Sequence, residues 1–556
     1  MNSILIIIFY TALAFLVFGK LPFTFFLQDE WVIFGSALYW DKTKLTIIEQ
    51  LFTHHQQITH MIPFARFAAL YEFKIFGLNF TPYGLVSIGL HVVNAVLVFW
   101  LANTLLKKKW ISFLAGLFFL INFISSQAVV WVATTIGTVG STTFALSSLI
   151  FYAKYVLGPK QKRVDLMVSL ILFFISLGFH ERTLFLFIFF PIFWLVYQKN
   201  SIGNIRRVAM PLLFMVITYI SLRVFLIVFS QPALSESTAL TGPSLSVFGI
   251  RLFSNSYKVF TQSFMVESFI IRVAEILVGL GYPQFVKNNT PDPFIVQSVG
   301  VDIISFLGFV LIIGICILLV HYFRNTKEFF LKKSIYLSLA FILLSSLPLM
   351  AISGKAGYFS LVDGRYQYIT SIGSSILLSL FFYWLYRALK KLHLSALAIL
   401  SAIAFIGVHG FFIRTYLNSQ VQIGVVRKSI LDKVSTTYPL LSRQAVFYIE
   451  SDTAYYGLSD KILPFQTGLG QVLLVWYDFK GQRLPACMFQ GQFLYQIVSE
   501  GYRECDGRGF GYFRNLSNLE KAVVEHNISS ESIFAFRYNS ATNELIDISD
   551  SVRAHF

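Results

Sequence analysis

At 556 residues the chain is long enough for three or four soluble domains of about 150 residues each. Its composition excludes them, and with them disorder, collagen, a coiled coil and a small disulfide scaffold: 56% of residues are hydrophobic, 13% are charged, 60 are Phe and the mean hydropathy is +0.67. The net charge of +16 is no sign of nucleic acid, because residues 417–556 carry 13 basic and 14 acidic side chains whereas 1–416 carry 31 and 14.

A hydrocarbon core about 30 Å thick takes roughly 20 apolar residues per helix. Eleven stretches qualify: 3–19, 82–106, 110–126, 138–157, 164–180, 183–198, 208–229, 301–323, 334–352, 366–387 and 394–414. With the N-terminus in the cytoplasm, the inner loops hold Lys107, Lys108 and Lys109; Lys160, Lys162 and Arg163; and Lys199, Arg206 and Arg207. Arg324, Lys327, Lys332, Lys333, Arg387, Lys390 and Lys391 complete the set, with only Asp165 and Glu328 as nearby acids. Basic loops stay on the cytoplasmic side, which fixes the expected orientation. The first stretch lacks a charged n-region and a small-residue cleavage site before Lys20, so it reads as an anchor that stays.

Two segments read as helices in the plane of the interface. Pro63–Gly77 is apolar with Arg66, Glu72 and Lys74 interspersed, and 231–300 contains Arg251, Asn255, Lys258 and Gln262 at helical spacing. For the second, a two-helix re-entrant hairpin is the alternative. After Tyr416 the composition is that of a soluble domain, and eleven crossings put it outside. Ala445–Glu450, Gln471–Tyr477 and Ser532–Tyr538 read as strands between Gly, Pro and Asp turn signals, within a compact α/β or α+β domain over 417–556. Cys487 and Cys505 lie in it and can bridge on the oxidising side; Cys316 is a packing residue in a span. No tandem repeat or low-complexity tract occurs.

Ionisable groups beside lipid are costly, so their positions are informative. Four clusters fall on the expected outer face. Gln28-Asp29-Glu30-Trp31 follows the first span by ten residues. It is either a solvated acid pair or a general base with a neighbour that tunes it. His54, His55, His60 and Arg66 share the same loop; without accompanying ligand spacing they suit substrate hydrogen bonding or an interfacial polar face better than a metal, and no cofactor is expected. His180-Glu181-Arg182 joins two spans, as a polar cap or as a docking point for an anionic headgroup. Lys355, Asp363, Arg365, Tyr366 and Tyr368 stand at the outer mouth of a span, where an aromatic belt accounts for the tyrosines but not for Arg365. His91 and Asn94, three apart, are expected to hydrogen-bond between helices.

Acids that can serve as a base, with separated cations that can stabilise a leaving phosphate, suggest a reaction. On the outer face a lipid-borne phosphate sugar is the fitting donor. The sequence also resembles a family. Asp29-Glu30, then Phe76-Gly77-Leu78-Asn79, Tyr83-Gly84-Leu85-Val86 and His91-Val92-Val93-Asn94, look like the GT-C superfamily of membrane glycosyltransferases. So do Ala128-Val129-Val130-Trp131, Gly178-Phe179-His180-Glu181-Arg182 and Arg365-Tyr366-Gln367-Tyr368 with Ser371-Ile372-Gly373. The resemblance spans roughly 1–390 and is nearest to the protein O-mannosyltransferase type and its tetratricopeptide-bearing relatives. It implies a catalytic base at Asp29, assisted by Glu30, and inverting transfer from a polyprenyl-phosphate sugar to a glycan, lipid or protein acceptor. His180 stands where relatives commonly have Lys, which moves the expected phosphate contact to Arg182, with Arg365 and Lys355. His54, His55, His180, Glu181, Tyr366 and Tyr368 are the expected substrate contacts. No tetratricopeptide period is present, so no peptide acceptor follows. The expected protein is a polytopic α-helical membrane enzyme with 1–416 in the bilayer. A transporter or flippase of lipid-linked saccharides, or a noncatalytic scaffold, are the rival readings; a transporter would carry mid-membrane charges and repeat symmetry.

Overall fold

A computed structural model describes residues 3–556 except 28, 47–48, 50–61, 199–201, 230–244, 288–289, 325–327, 351–360, 452–464 and 466–468. The chain runs through α1 (Ser3–Phe18), α2 (Asp29–Thr43), α3 (Pro63–Phe76), α4 (Phe80–Leu106), α5 (Lys109–Ile121), α6 (Phe123–Val130), α7 (Gly140–Leu157), α8 (Arg163–Phe179) and α9 (Leu186–Tyr197). Then follow α10 (Ile202–Phe229), α11 (Leu245–Gln262), α12 (Glu267–Gly281), α13 (Val301–Arg324), α14 (Phe329–Ser345), α15 (Ser371–Lys390) and the 43-residue α16 (Ser395–Thr437). Two compact units form: 1–19, 59–65 and 86–416, and 20–58, 66–85 and 417–556. The second unit thus takes in the loop after α1, which the sequence reading left with the bilayer part.

Helices stand at all eleven expected stretches. Among the described residues seven are long and apolar enough to cross a membrane, or eight if α5 and α6, bent by 55°, make one span. The stretches 164–180, 183–198 and 334–352 form helices of only 17, 12 and 17 residues. A tight 3-10 segment, Glu181–Phe185, takes the first turn of one, and another is interrupted at Ser346 before a short helical turn, Leu347–Met350.

In the first unit, polar side chains on the helix faces bond between or along helices, as they must away from water. His91 Nδ1 meets the Tyr368 hydroxyl at 2.8 Å and its Nε2 meets the Leu120 carbonyl at 2.9 Å. Asn94 donates to the same hydroxyl at 3.1 Å and to the Val139 carbonyl at 3.0 Å. Where α5 breaks into α6, Asn122 accepts from the Ile124 N–H at 3.1 Å and donates to the Ser263 carbonyl, while His409 accepts the Phe123 N–H at 3.0 Å. The kink therefore leaves its freed backbone groups partnered. On the other face, Glu328, an isolated acid among basic loops, binds Lys108, Arg387 and the Tyr383 hydroxyl.

Residues 245–281 form two helices, α11 and α12, joined by four residues. The polar stripe of α11 differs from the interfacial expectation. Asn255, Lys258 and Gln262 are buried while Ile250 and Phe253 are each 70% exposed. Lys258 pairs with Asp302 at 2.8 Å, and Gln262 accepts from the Val362 N–H at 2.9 Å and donates to the Ser305 hydroxyl at 3.3 Å. Protein partners, rather than headgroups and water, take up the stripe.

The second unit is built on a five-stranded sheet of β1 (Gln444–Ser451), β2 (Gly501–Cys505), β3 (Arg508–Phe513), β4 (Ile533–Asn539) and β5 (Glu544–Asp547), in the order β2-β3-β1-β4-β5. The centre is parallel, with Phe447 opposite Tyr512 and Phe534, and both edge pairs are antiparallel. Cys487 and Cys505 are disulfide-bonded, which ties the end of the edge strand β2 to the short turn Ala486–Phe489. The expected strand Gln471–Tyr477 is instead the helix α17 (Gly470–Tyr477). All eight of its residues are buried, and a short run buried on every side carries no period to tell helix from strand.

Candidate functional site

Arg182 and Arg365 of the first unit converge on Tyr366. The 3-10 segment Glu181–Phe185 delivers Arg182, and a short helical turn, Gly364–Gln367, delivers Arg365 and Tyr366. That turn lies close against α6: a Cβ on Gly364 would come 2.7 Å from the Ile124 carbonyl, so only glycine fits without displacement. The Arg365 N–H donates to Gln127 Oε1 at 2.9 Å. The bend at Asn122 redirects α6, which carries Gln127 and leads to Trp131.

The two arginines are held by rings. The Arg182 guanidinium carbon lies 3.7 Å from the Tyr366 ring centre, and that of Arg365 lies 4.9 Å from the same centre and 4.2 Å from the Trp131 ring. Arg182, 6% exposed, gives one bond to the Arg365 carbonyl at 3.3 Å. Arg365 gives one to Asp363 at 3.3 Å. Neither Nε has an acceptor among the described residues, nor has the Trp131 indole nitrogen. Burial pulls the Arg182 guanidinium down to about 10, against the opposing pull of Tyr366 and Glu181 and with the help of the Arg365 charge. Two cations are thus packed together, with Asp363 bonded to one of them and Glu181 acting on the other. Such a pair is chemically suited to an incoming anion with several oxygens.

His180 and Glu181 stand beside this pair. His180 Nδ1 lies 3.4 Å from the Arg182 N–H and 3.6 Å from Glu181. A nitrogen that accepts the backbone N–H cannot donate to Glu181 at the same time, so the neutral ring fits the first contact. Burial and the nearby Asp363 raise the Glu267 carboxyl. Tyr368, an expected substrate contact, is fully buried, with its hydroxyl bonded to His91 and Asn94.

In the second unit, Asp29 opens α2 and is exposed, whereas Glu30 is 1% exposed. Acids at the first turn of a helix face its positive end. Phe26, Trp31, Phe34 and Phe73 pack around this turn. Further along, a Cβ on Gly35 would meet Leu494 methyls at 2.8 Å, and Lys42 pairs with Asp478 at 2.9 Å. The acid-bearing helix is therefore seated on the C-terminal domain's own helices. Glu72 on α3 is pushed up to about 8 by burial. His54, His55, His60 and Lys355 lie outside the described residues. No group of three or more His, Cys, Asp or Glu that could hold a metal occurs among the described residues.

Gln127 and Asp363 were not singled out for a binding role by sequence reasoning, and Trp131 entered only through the resemblance. A lone Gln before an apolar run carries no signal of its own.

No protein family and no curated protein matches the chain by sequence. Among solved structures, the apo oligosaccharyltransferase of Archaeoglobus fulgidus is similar in fold, with 11% identity and a TM-score of 0.43 over 85% of this chain. The chain spans 64% of that protein's length. ArnT from Cupriavidus metallidurans bound to undecaprenyl phosphate matches with 13% identity and a TM-score of 0.36, covering 91% of this chain and 97% of ArnT. The archaeal oligosaccharyltransferase AglB in complex with an inhibitory peptide and a dolichol-phosphate matches with 13% identity and a TM-score of 0.40, over 85% of this chain and 63% of AglB. Both proteins are GT-C membrane glycosyltransferases. At this similarity the likeness assigns no activity and no residue.

Proposed function

We propose that the chain is a membrane glycosyltransferase that moves a sugar from a polyprenyl-phosphate donor to an acceptor on the outer face. One observation supports this above the others: among the described residues the buried Nε–H groups of Arg182 and Arg365 have no acceptor, and Arg365 bonds Asp363. A phosphate that becomes a better leaving group as negative charge builds on it is the ligand such cations favour. Asp29 serves as the base that takes the acceptor proton, Glu30 supports its helix turn, and one displacement at the anomeric carbon inverts configuration. His180 and Glu181 line the phosphate side of the substrate, and the Tyr366 ring stands against both arginines; His54, His55 and Lys355 remain proposed contacts from the sequence. Residues 417–556 form the outer part of the protein.

The test uses purified protein in liposomes with a labelled polyprenyl-phosphate sugar and an extract of candidate acceptors. The expected result is release of polyprenyl phosphate with label on the acceptor. Movement of the intact lipid-linked sugar between leaflets without release would make the protein a transporter.

The orientation has its own check. Lys109 and Val524 are both exposed, and Lys108 is avoided because it is tied to Glu328. A membrane-impermeant thiol reagent applied outside cells should label Val524→Cys and spare Lys109→Cys. Labelling of both, or the reverse pattern, contradicts the assignment.

A further inference from the structure

Trp131, Arg365, Tyr366 and Arg182 form a ladder in which aromatic rings and guanidinium groups alternate, with successive separations of 4.2, 4.9 and 3.7 Å. Two like charges this close repel, and the repulsion registers at Arg182. The usual remedy is a carboxylate between them, but a carboxylate would occupy the same donors that an anionic ligand needs. An aromatic ring attracts a cation through its electron-rich face and uses none of the N–H groups. We propose that Tyr366 is a positioning residue: its ring fixes both guanidiniums in place and leaves their edges open for the donor's phosphate. This rests on the reading of Arg182 and Arg365 as the phosphate site.

The ladder makes a claim about which part of Tyr366 matters. Its side chain is 9% exposed, and among the described residues its hydroxyl makes no hydrogen bond, so the ring alone carries the role. Trp131 does the same for the outer face of Arg365, while Gln127 pins the Arg365 backbone from below. Both arginines would otherwise sample several rotamers, at an entropic cost paid on each binding event.

The experiment compares Tyr366→Phe, Tyr366→Leu, Arg182→Ala and Arg365→Ala in the full-length protein, reading kcat and KM for a polyprenyl-phosphate sugar, with inorganic phosphate-free detergent buffer and a thermal unfolding curve for each. Tyr366→Phe should match wild type. Tyr366→Leu should raise KM about 10-fold, the size expected for the loss of cation–π contacts, with kcat changed less than 3-fold and unfolding near that of wild type. Should Tyr366→Phe be as impaired as Tyr366→Leu, the hydroxyl touches substrate and the positioning role is wrong. Should Tyr366→Leu behave as wild type while the arginine variants fail, the ladder is wrong and the phosphate site stands. Should the arginine variants also behave as wild type, the phosphate site itself is wrong. A Tyr366→Leu protein that unfolds early while Tyr366→Phe retains wild-type KM and stability assigns the ring to packing alone and overturns the proposal.

Discussion

Asp29→Asn lowers turnover about 10²–10⁴-fold, the contribution general bases commonly make, while donor binding and the fold are retained. Asp29 is the first residue of α2 and is exposed, ten residues after the first apolar stretch, as a base that meets an acceptor hydroxyl requires. Asn has the same shape and removes only the ability to take a proton, so a large loss cannot be assigned to a cavity. The turn itself is anchored elsewhere, by Trp31 and Phe34 among their aromatic neighbours and by Lys42 on Asp478. Glu30→Gln costs turnover less, because Glu30 is buried and out of an acceptor's reach. Steady-state kcat and KM for purified wild type and both variants check this. Equal kcat in all three removes the acid pair from the mechanism.

Arg182→Ala and Arg365→Ala each lower kcat/KM by about 10²-fold. Charge-assisted bonds to a phosphate in a water-poor site are among the strongest that a side chain makes, and their loss is felt most as charge develops on the leaving group. Lys at either position restores only part of the activity, since a point charge replaces the planar fork. Because both groups grip one anion, the double variant loses less than the product of the single losses. Measured kcat/KM for wild type and the five variants is the readout. Normal values for both alanine variants place the phosphate elsewhere, with Lys355 the next cation to test.

Much of the architecture was legible because bilayer-length apolar runs are long and uninterrupted, and basic residues mark the loops between them. The misreadings share a cause. Gln471–Tyr477 is apolar on every side, so its period is silent and tertiary packing made it a helix. The polar stripe of α11 has the period of an interfacial helix, but periodicity does not say whether water or Asp302 and Ser305 will meet it. The same limit applies to Tyr368, which shares a motif with Tyr366. The hydroxyl of one bonds His91 and Asn94, and the ring of the other faces two arginines. At the site, the cations were visible because charge at the end of an apolar run is costly and conspicuous. Gln127 was not, because its placement depends on the break at Asn122, which nothing in an apolar run announces.

A structure of the full chain with a polyprenyl-phosphate sugar bound tests the central claim most directly. The account predicts phosphate oxygens about 2.7–2.9 Å from guanidinium nitrogens of both Arg182 and Arg365, with each idle Nε–H engaged. A phosphate bound with both guanidiniums left as they are would contradict it.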